Sequence, residues 1–583
     1  MRRDDALHPT SDKLIISATA SFAEANKLMP VIDFSYSDLV ELIGRDVSRE
    51  VIRERLPMIG ADLQSAPDDS DEMSFEFFPD RPDLYSVEGI ARALRAFLGF
   101  EPGLRSYAVD SSDVELIVDP SVKQVRPFIW SALVEGNDMS DPLIKSMMDL
   151  QEKLHLTLGR NRKKVAIGIH DFRTVKPPFT YKAVLPDEIS FTPLQGSRRM
   201  TPAEILKEHD KGVAYAYVLD GKERYPMIVD KDDEVLSFPP IINGVTTAVS
   251  ESTRDIFVDC TGTDINAVTA AVNILTTALA ERGGKIKSVR ILQDGKTHTA
   301  PDLAPHHLKI DPSYVNGWNG TSMSEADMIE SLMKMGHGAA KGKESIDVLV
   351  PRYRADMLHP VDLAEDIAIG FGFEKFGNSL PKMATFGVEE PLISAGNSVK
   401  PVMIGLGYFE VVTLSLSNPK DQYSSMNLPV DDHAITVLNP VSEEHVLLRT
   451  SLVPSLMMIL RKNKHRELPQ RVFDVGEVVW KGRNRTLLSG AAIHAKASFT
   501  ESKSVVQAVM VGLGLPCDVR ANEHPSFVRG RCAEVLVDGG PVGVFGEVAP
   551  STIEAFELKY PVIAFELDLE RLFELRRARS RSS

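Results

Sequence analysis

Hydrophobic and polar positions in this chain repeat with two periods, and the switches between them sketch a multidomain fold. From Val31 to Leu56 the run VIDFSYSDLVELIGRDVSREVIRERL predicts a short strand, a cap at Ser37, then helical spacing with acidic residues early and basic residues late. Phe75 to Gly99 turns at two prolines and then sets Val87, Ile90, Ala91, Leu94 and Leu98 on one helical stripe, with Arg92 and Arg95 off it. Asp110 to Asp138 alternates like strand, and Ile144 to Leu158 predicts a helix closed by Gly159. Tyr225 to Gly244 predicts a strand pair with a polar turn at Asp230 to Asp233. Ile256 to Asp264 predicts a strand leading into a helix whose apolar residues run from Val268 to Leu279 and which Gly283-Gly284 ends.

Beyond Thr299 the spacing predicts helices over Glu325 to Met335 and Val361 to Ile369. After Pro401 short strands dominate, among them Phe473 to Trp480, Ala533 to Val548 and Pro561 to Leu569, with a hairpin turn at Asp538 to Gly540. A chain of 583 residues exceeds a single core, and three to five domains are expected. Hydrophobic residues at 43% and charged residues at 25% exclude a disordered or fibrous chain. No apolar run is long enough to span a bilayer, and a cytoplasmic protein is expected. Cys260, Cys517 and Cys532 lie far apart without ligand spacing, which predicts neither zinc nor disulfides.

A net charge of -16 opposes general adhesion to a polyanion, so any RNA contact is local. Candidate basic patches are Arg160, Arg162, Lys163 and Lys164; Arg461, Lys462, Lys464 and Arg466; and Arg576, Arg577, Arg579 and Arg581. Taken singly, each reads more readily as a solvated face than as an RNA footprint.

Five segments carry a resemblance: PDRPDLYSVEGIARALRAFLG (79–99), KKVAIGIHD (163–171), SFPPIING (237–244), VPRYRADMLHPVDLAEDIAIGFGFEKF (350–376) and LNPVSEEHVLLRTSLVPSLM (438–457). In this order they resemble the β subunits of phenylalanyl-tRNA synthetases, in the archaeal/eukaryotic branch, over nearly all of 29–572. The resemblance implies an α+β multidomain fold: an N-terminal extension (1–28), a small N-terminal α/β domain (29–109), and an editing, tRNA-binding domain (110–298). A small helical, wing-like domain bearing the acidic cluster (299–387), a class II synthetase-like antiparallel sheet domain lacking the ATP motifs (388–572) and a basic tail (573–583) would follow. The tRNA-binding and anticodon-binding modules of the longer bacterial form are expected to be missing.

In the fourth segment Asp362, Glu365 and Asp366 stack on one helical face behind Asp356, and Pro360 suits the first turn. Spacing alone favours a solvated acidic face near a helix N-terminus. The resemblance implies instead that Asp356, Asp362, Glu365 and Asp366 are Mg²⁺ ligands in a site shared with an α subunit. Replacing Asp362 and Asp366 by alanine is then expected to weaken assembly more than it alters the isolated chain.

An apolar pocket rejects the extra hydroxyl of tyrosine only about a hundredfold, so a ligase for phenylalanine needs a second site that reads the phenol. The resemblance puts that site in 110–298. Candidates are Ser237, Pro240, Asn243, Asp259 and Thr261 at strand ends and turns, with His170 as a titratable imidazole. Each also has a plain reading: Asn243-Gly244 as a turn, Thr261 as a cap, His170 as a core residue. ATP is expected to be a substrate of the complex at the α subunit, since FDVGEVV has no arginine at its core and Arg571 has no preceding glycines. The implied assembly is an (αβ)₂ heterotetramer acting on tRNA(Phe), with 438–456 as the candidate α contact. Rival readings are a free-standing RNA-binding or scaffold protein, a free-standing deacylase, and a metal-dependent hydrolase at the acidic cluster.

Overall fold

The computed structural model describes residues 29–378 and 380–582, so the expected extension over 1–28 lies outside the described residues. These residues form two compact units that part at 379. The expected boundary at 387 therefore moves toward the N-terminus. Residues 380–390 form no helix or strand, and Leu380 and Phe386 are exposed.

The first unit opens with a three-stranded antiparallel sheet in which Glu72–Phe77 lies between Val31–Ser35 and Ala61–Ser65. Ser35, not Ser37, caps the following helix: its hydroxyl accepts from Asp38 N. That helix, Tyr36–Ile43, stops at Gly44, whose φ of 73° leaves the helical region, and Ser48 caps a second helix, Arg49–Arg55. The stripe on Val87–Phe97 is buried as its spacing predicts. Arg92 and Arg95 are buried too, because each meets a partner from a later part of the chain. Arg92 stacks 3.7 Å over the Tyr353 ring and donates to Thr277 Oγ1, and Arg95 pairs with Glu281. Arg81 grips Asp83 through two 2.9 Å hydrogen bonds at the same junction.

Two larger sheets follow. Phe128–Glu135, Ile256–Gly262 and Val165–Asp171 form the central and edge strands of a five-stranded sheet, with Val165–Asp171 at the edge. A seven-stranded sheet runs from Ile242–Asn243 through Val235–Phe238, Tyr225–Val229 and Phe179–Val184 to Lys296–Ala300. Phe179, Phe257 and Leu236 belong to the core between them. The helix Ile265–Glu281 covers the other face of the five-stranded sheet and is buried nearly all round, so it reads as apolar on every side. One continuous core joins Ile32 to Leu279, so no break in packing marks the expected boundary at 109/110. The unit ends with the three-stranded sheet of His306–Ile310, Ile346–Val350 and Gly338–Lys341, packed with the helices Pro312–Asn319, Glu325–Lys334 and Pro360–Phe371.

The second unit is built on a seven-stranded sheet in which Gln470–Trp480, Arg483–Ile493, Val562–Asp568, Gly540–Val548 and Phe527–Val537 are antiparallel neighbours. Gln470–Trp480 and Phe527–Val537 begin earlier than their sequence suggests and reach 11 residues each, whereas Val562–Asp568 is slightly shorter than expected. The hairpin at Asp538-Gly539 forms as predicted, with φ of 50° and 77° at the two turn residues. The basic tail is not a separate arm up to 579. It continues the helix Leu569–Ser582, where Phe573 and Leu575 pack on the core and Arg579 pairs with Asp538.

Asp83 is buried between Arg81, Arg92 and Arg354, which hold its carboxyl below the usual range although burial alone would raise it. Asp83→Ala leaves buried guanidinium groups without their anion and should cost about 3–5 kcal/mol in urea unfolding. The exposed Lys309→Ala should stay within about 0.5 kcal/mol.

Candidate active site and the acidic cluster

Strand register creates the first cluster. Along Ile256–Gly262, Phe257, Asp259 and Thr261 share one face, and antiparallel pairing sets Gly168 opposite Asp259 and His170 opposite Phe257. His170 is thus the diagonal neighbour of Asp259, and its Nε2 lies 2.7 Å from Asp259 Oδ2. Both residues are buried. Gly168 makes the approach possible: a Cβ there would fall 2.1 Å from Asp259 Oδ2 and 2.6 Å from His170 Nε2. On the far side of the ring, Nδ1 lies 2.8 Å from Thr247 Oγ1. Nε2 faces the carboxylate and Nδ1 faces the Thr247 hydroxyl, which also lies 3.2 Å from Gly244 O, so both ring nitrogens have a partner.

Asp259 faces a cavity of about 440 Å³ between the helix Asp141–Leu156, the edge strand Val165–Asp171 and the segment 237–243. The helix replaces the strand missing from that edge: Gln151 Nε2 donates to Ile167 O and His155 Nε2 accepts from Ile167 N. Burial lowers the His155 pKa to about 4, which keeps the ring a neutral acceptor. Nearby, burial would raise the Glu152 carboxyl, but His155 at 3.5 Å, with Arg162 and Lys211, brings it down to about 2.

Most of the candidates meet at this cavity. Ser237 lines it with a buried Oγ that has no hydrogen-bond partner, Pro240 contributes the cis Pro239–Pro240 step, and Asn243 holds Ile169 O through Nδ2 at 3.4 Å. Asp259 lines it directly, and its Oδ1 makes no hydrogen bond among the described residues. His170 stands behind Asp259 rather than on the wall. Thr261 is drawn elsewhere: its hydroxyl accepts from Arg126 Nε at 2.9 Å, so it neither caps the next helix, which Asp264 caps, nor reaches the cavity. Gly168, Thr247 and Gln151 escaped the sequence reading. For Gly168, pairing GIHD against VDCTG in antiparallel register is the signal that exposes it.

The acidic cluster differs from its expected form. Arg354 takes Asp356 through Nε at 2.9 Å and Nη2 at 2.6 Å, and takes Asp366 through Nη1 at 2.8 Å. His337 Nε2 adds a 2.6 Å contact to Asp366. Asp362 Oδ2 accepts from Leu358 N and His359 N, tying the helix entry together. Glu365 is exposed and forms no hydrogen bond or ion pair among the described residues, and its pKa is raised by partial burial and by Asp366, Asp80, Asp362 and Asp356. Among the described residues no three such side chains are gathered as a metal cage. The donor set therefore fits a cation only in part, through Glu365 and the unengaged Oδ1 of Asp362.

Residues 131–289 match the B3/4 domain, 308–373 the tRNA synthetase B5 domain, and 377–569 the phenylalanyl tRNA synthetase beta chain CLM domain. The phenylalanine–tRNA ligase beta subunit of Methanothrix thermoacetophila is 47% identical over 542 residues, 93% of this chain and 100% of the relative. That of Archaeoglobus fulgidus is 47% identical over 549 residues, 94% of this chain and 99% of the relative. A crystal structure of an N-terminal fragment of the phenylalanyl-tRNA synthetase beta-subunit from Pyrococcus horikoshii matches with a TM-score of 0.57 at 38% identity, covering 59% of this chain and 100% of the fragment. The chain belongs to the family of phenylalanine–tRNA ligase β subunits.

Asp366→Ala removes one of the two carboxylates that pair with buried Arg354 and the anion beside buried His337, and should destabilise the chain itself by about 3–5 kcal/mol. Glu365→Ala should leave thermal unfolding of the chain unchanged and act on assembly with the partner, read by sedimentation with and without chelator.

Proposed function

We propose that this chain works as the β subunit of a phenylalanine–tRNA ligase, supporting ATP-dependent attachment of phenylalanine to tRNA(Phe) by an α subunit and hydrolysing tyrosyl-tRNA(Phe) in its own cavity. The observation that carries the second half is the pair of unused acceptors, Asp259 Oδ1 and the orphaned Ser237 Oγ, on a cavity walled largely by side chains such as Met147, Ile169 and Ile241. A phenol entering that space can donate a hydrogen bond to the carboxylate. A phenylalanyl ring gives nothing and leaves buried polar groups unpaired, the arrangement that discriminates most strongly between substrates differing by one hydroxyl. His170, fixed by Thr247, holds Asp259 in position, and the volume suits a small-molecule site.

The sheet of the second unit supports the assignment of ATP chemistry to a partner. Arg449 pairs with Asp474 at 3.5 Å and packs against Gly476, filling the middle of the strand Gln470–Trp480 from within the chain. In the segment proposed as the α contact, Leu438 and Val441 are exposed, whereas Leu447, Leu452 and Leu456 are core. Its first half is the more exposed. We assign the (αβ)₂ assembly on the strength of the family, and Mg²⁺ in narrowed form to Glu365 and Asp362, with water or partner groups completing a hard-oxygen shell.

The test is deacylation of tyrosyl-tRNA(Phe) by the co-expressed assembly. Asp259→Ala should slow it about 10- to 100-fold while phenylalanine charging stays at the wild-type rate. Full deacylation by this variant would move the site elsewhere.

A further inference from the structure

We infer that a strip beside the cavity mouth, built on Arg160, Lys163, Lys211, Tyr215 and Tyr217, is the track for the last nucleotides of a single-stranded RNA end. The inference rests on the editing function proposed above. It starts from a strained turn: Arg160, Asn161 and Arg162 have successive φ values of 47°, 54° and 66°, three non-glycine residues in the left-handed region. Such strain persists only where surrounding contacts impose it. Here they do. The Arg162 guanidinium lies 4.2 Å over the Tyr215 ring, donates to Pro240 O and Ile241 O at the cavity wall, and pairs with Glu152. Its burial turns the flanking Arg160 and Lys163 out to solvent.

What the turn presents suits RNA. Lys163 Nζ sits 5.3 Å over the Tyr217 ring, and the Tyr217 hydroxyl donates to Asn161 O at 3.0 Å, which fixes the orientation of a ring that is 41% exposed. Lys211 lies 6.0 Å from the Tyr215 ring and lines the cavity, joining the strip to the site. Arg160, Lys163 and Lys211 are exposed and form no ion pair with any described residue, in a chain whose net charge is -16. Glu152, which also pairs with Arg162, is the acidic group that Lys211 faces, and Asp210 precedes Lys211 in the chain. A strip with an excess of positive charge around a fixed aromatic face matches alternating phosphates and bases. An acidic peptide would use the charges and leave the ring idle.

The experiment uses the co-expressed assembly and three readouts. In the Tyr217→Ala protein and the Arg160→Glu, Lys163→Glu protein, KM for tyrosyl-tRNA(Phe) deacylation should rise about tenfold, with a shallower salt dependence in the charge variant. Hydrolysis of tyrosine methyl ester, which has no nucleotide, should stay unchanged. With the photoreactive p-benzoylphenylalanine replacing Tyr217, illumination should cross-link the last three nucleotides of tRNA(Phe). Unchanged KM in both variants, cross-links confined to the body of the tRNA, or competition by polyglutamate equal to that by RNA would overturn the inference. A wild-type assembly that hydrolyses neither ester while still cross-linking the RNA end would sink the editing function and leave the track standing.

Discussion

A carboxylate buried beside an apolar cavity must have a partner, and the contact between Asp259 and His170 satisfies that demand. The rest of the site follows from it. The two side chains meet across one antiparallel register, over a position that only glycine can occupy, with Thr247 fixing the far nitrogen of the ring. One oxygen of Asp259 is thereby committed, and the other remains for a ligand. A polar group held rigidly on an apolar wall is what separates two substrates that differ by a hydroxyl.

Charge is handled in opposite ways elsewhere in the first unit. Around Arg354 the carboxylates of Asp356 and Asp366 are consumed internally, so the acidic cluster is chiefly a structural knot that leaves Glu365 outside. At the turn 160–162 the reverse holds: one arginine is spent on the wall of the cavity, and its neighbours Arg160 and Lys163 form no ion pair with any described residue.

The sequence was most legible where periodicity and punctuation agree. The helix Val87–Phe97, the strand Ile256–Gly262 with its helix, and the turn at Asp538-Gly539 all lie close to their predicted places. Contacts that need distant partners were not legible. Arg92 and Arg95 lie off the apolar stripe yet are buried by Tyr353 and Glu281, more than 180 residues further on. Asp362, Glu365 and Asp366 were grouped correctly on one helical face, but Arg354, His337 and the helix entry, which divide their roles, are not part of that periodicity. Thr261 is a pocket candidate from its place at a strand end, and it shares a strand face with Asp259. Arg126, from another strand connection, takes it away.

The most direct check is the affinity of the assembly for two non-hydrolysable mimics, tyrosyl and phenylalanyl amides of 3′-amino-adenosine, measured by calorimetry with wild type and with Asp259→Asn. The account predicts that wild type prefers the tyrosyl compound by about tenfold or more and that the variant loses most of that preference while still binding both. Equal affinity of wild type for the two compounds, or a preference that survives in the variant, would contradict it.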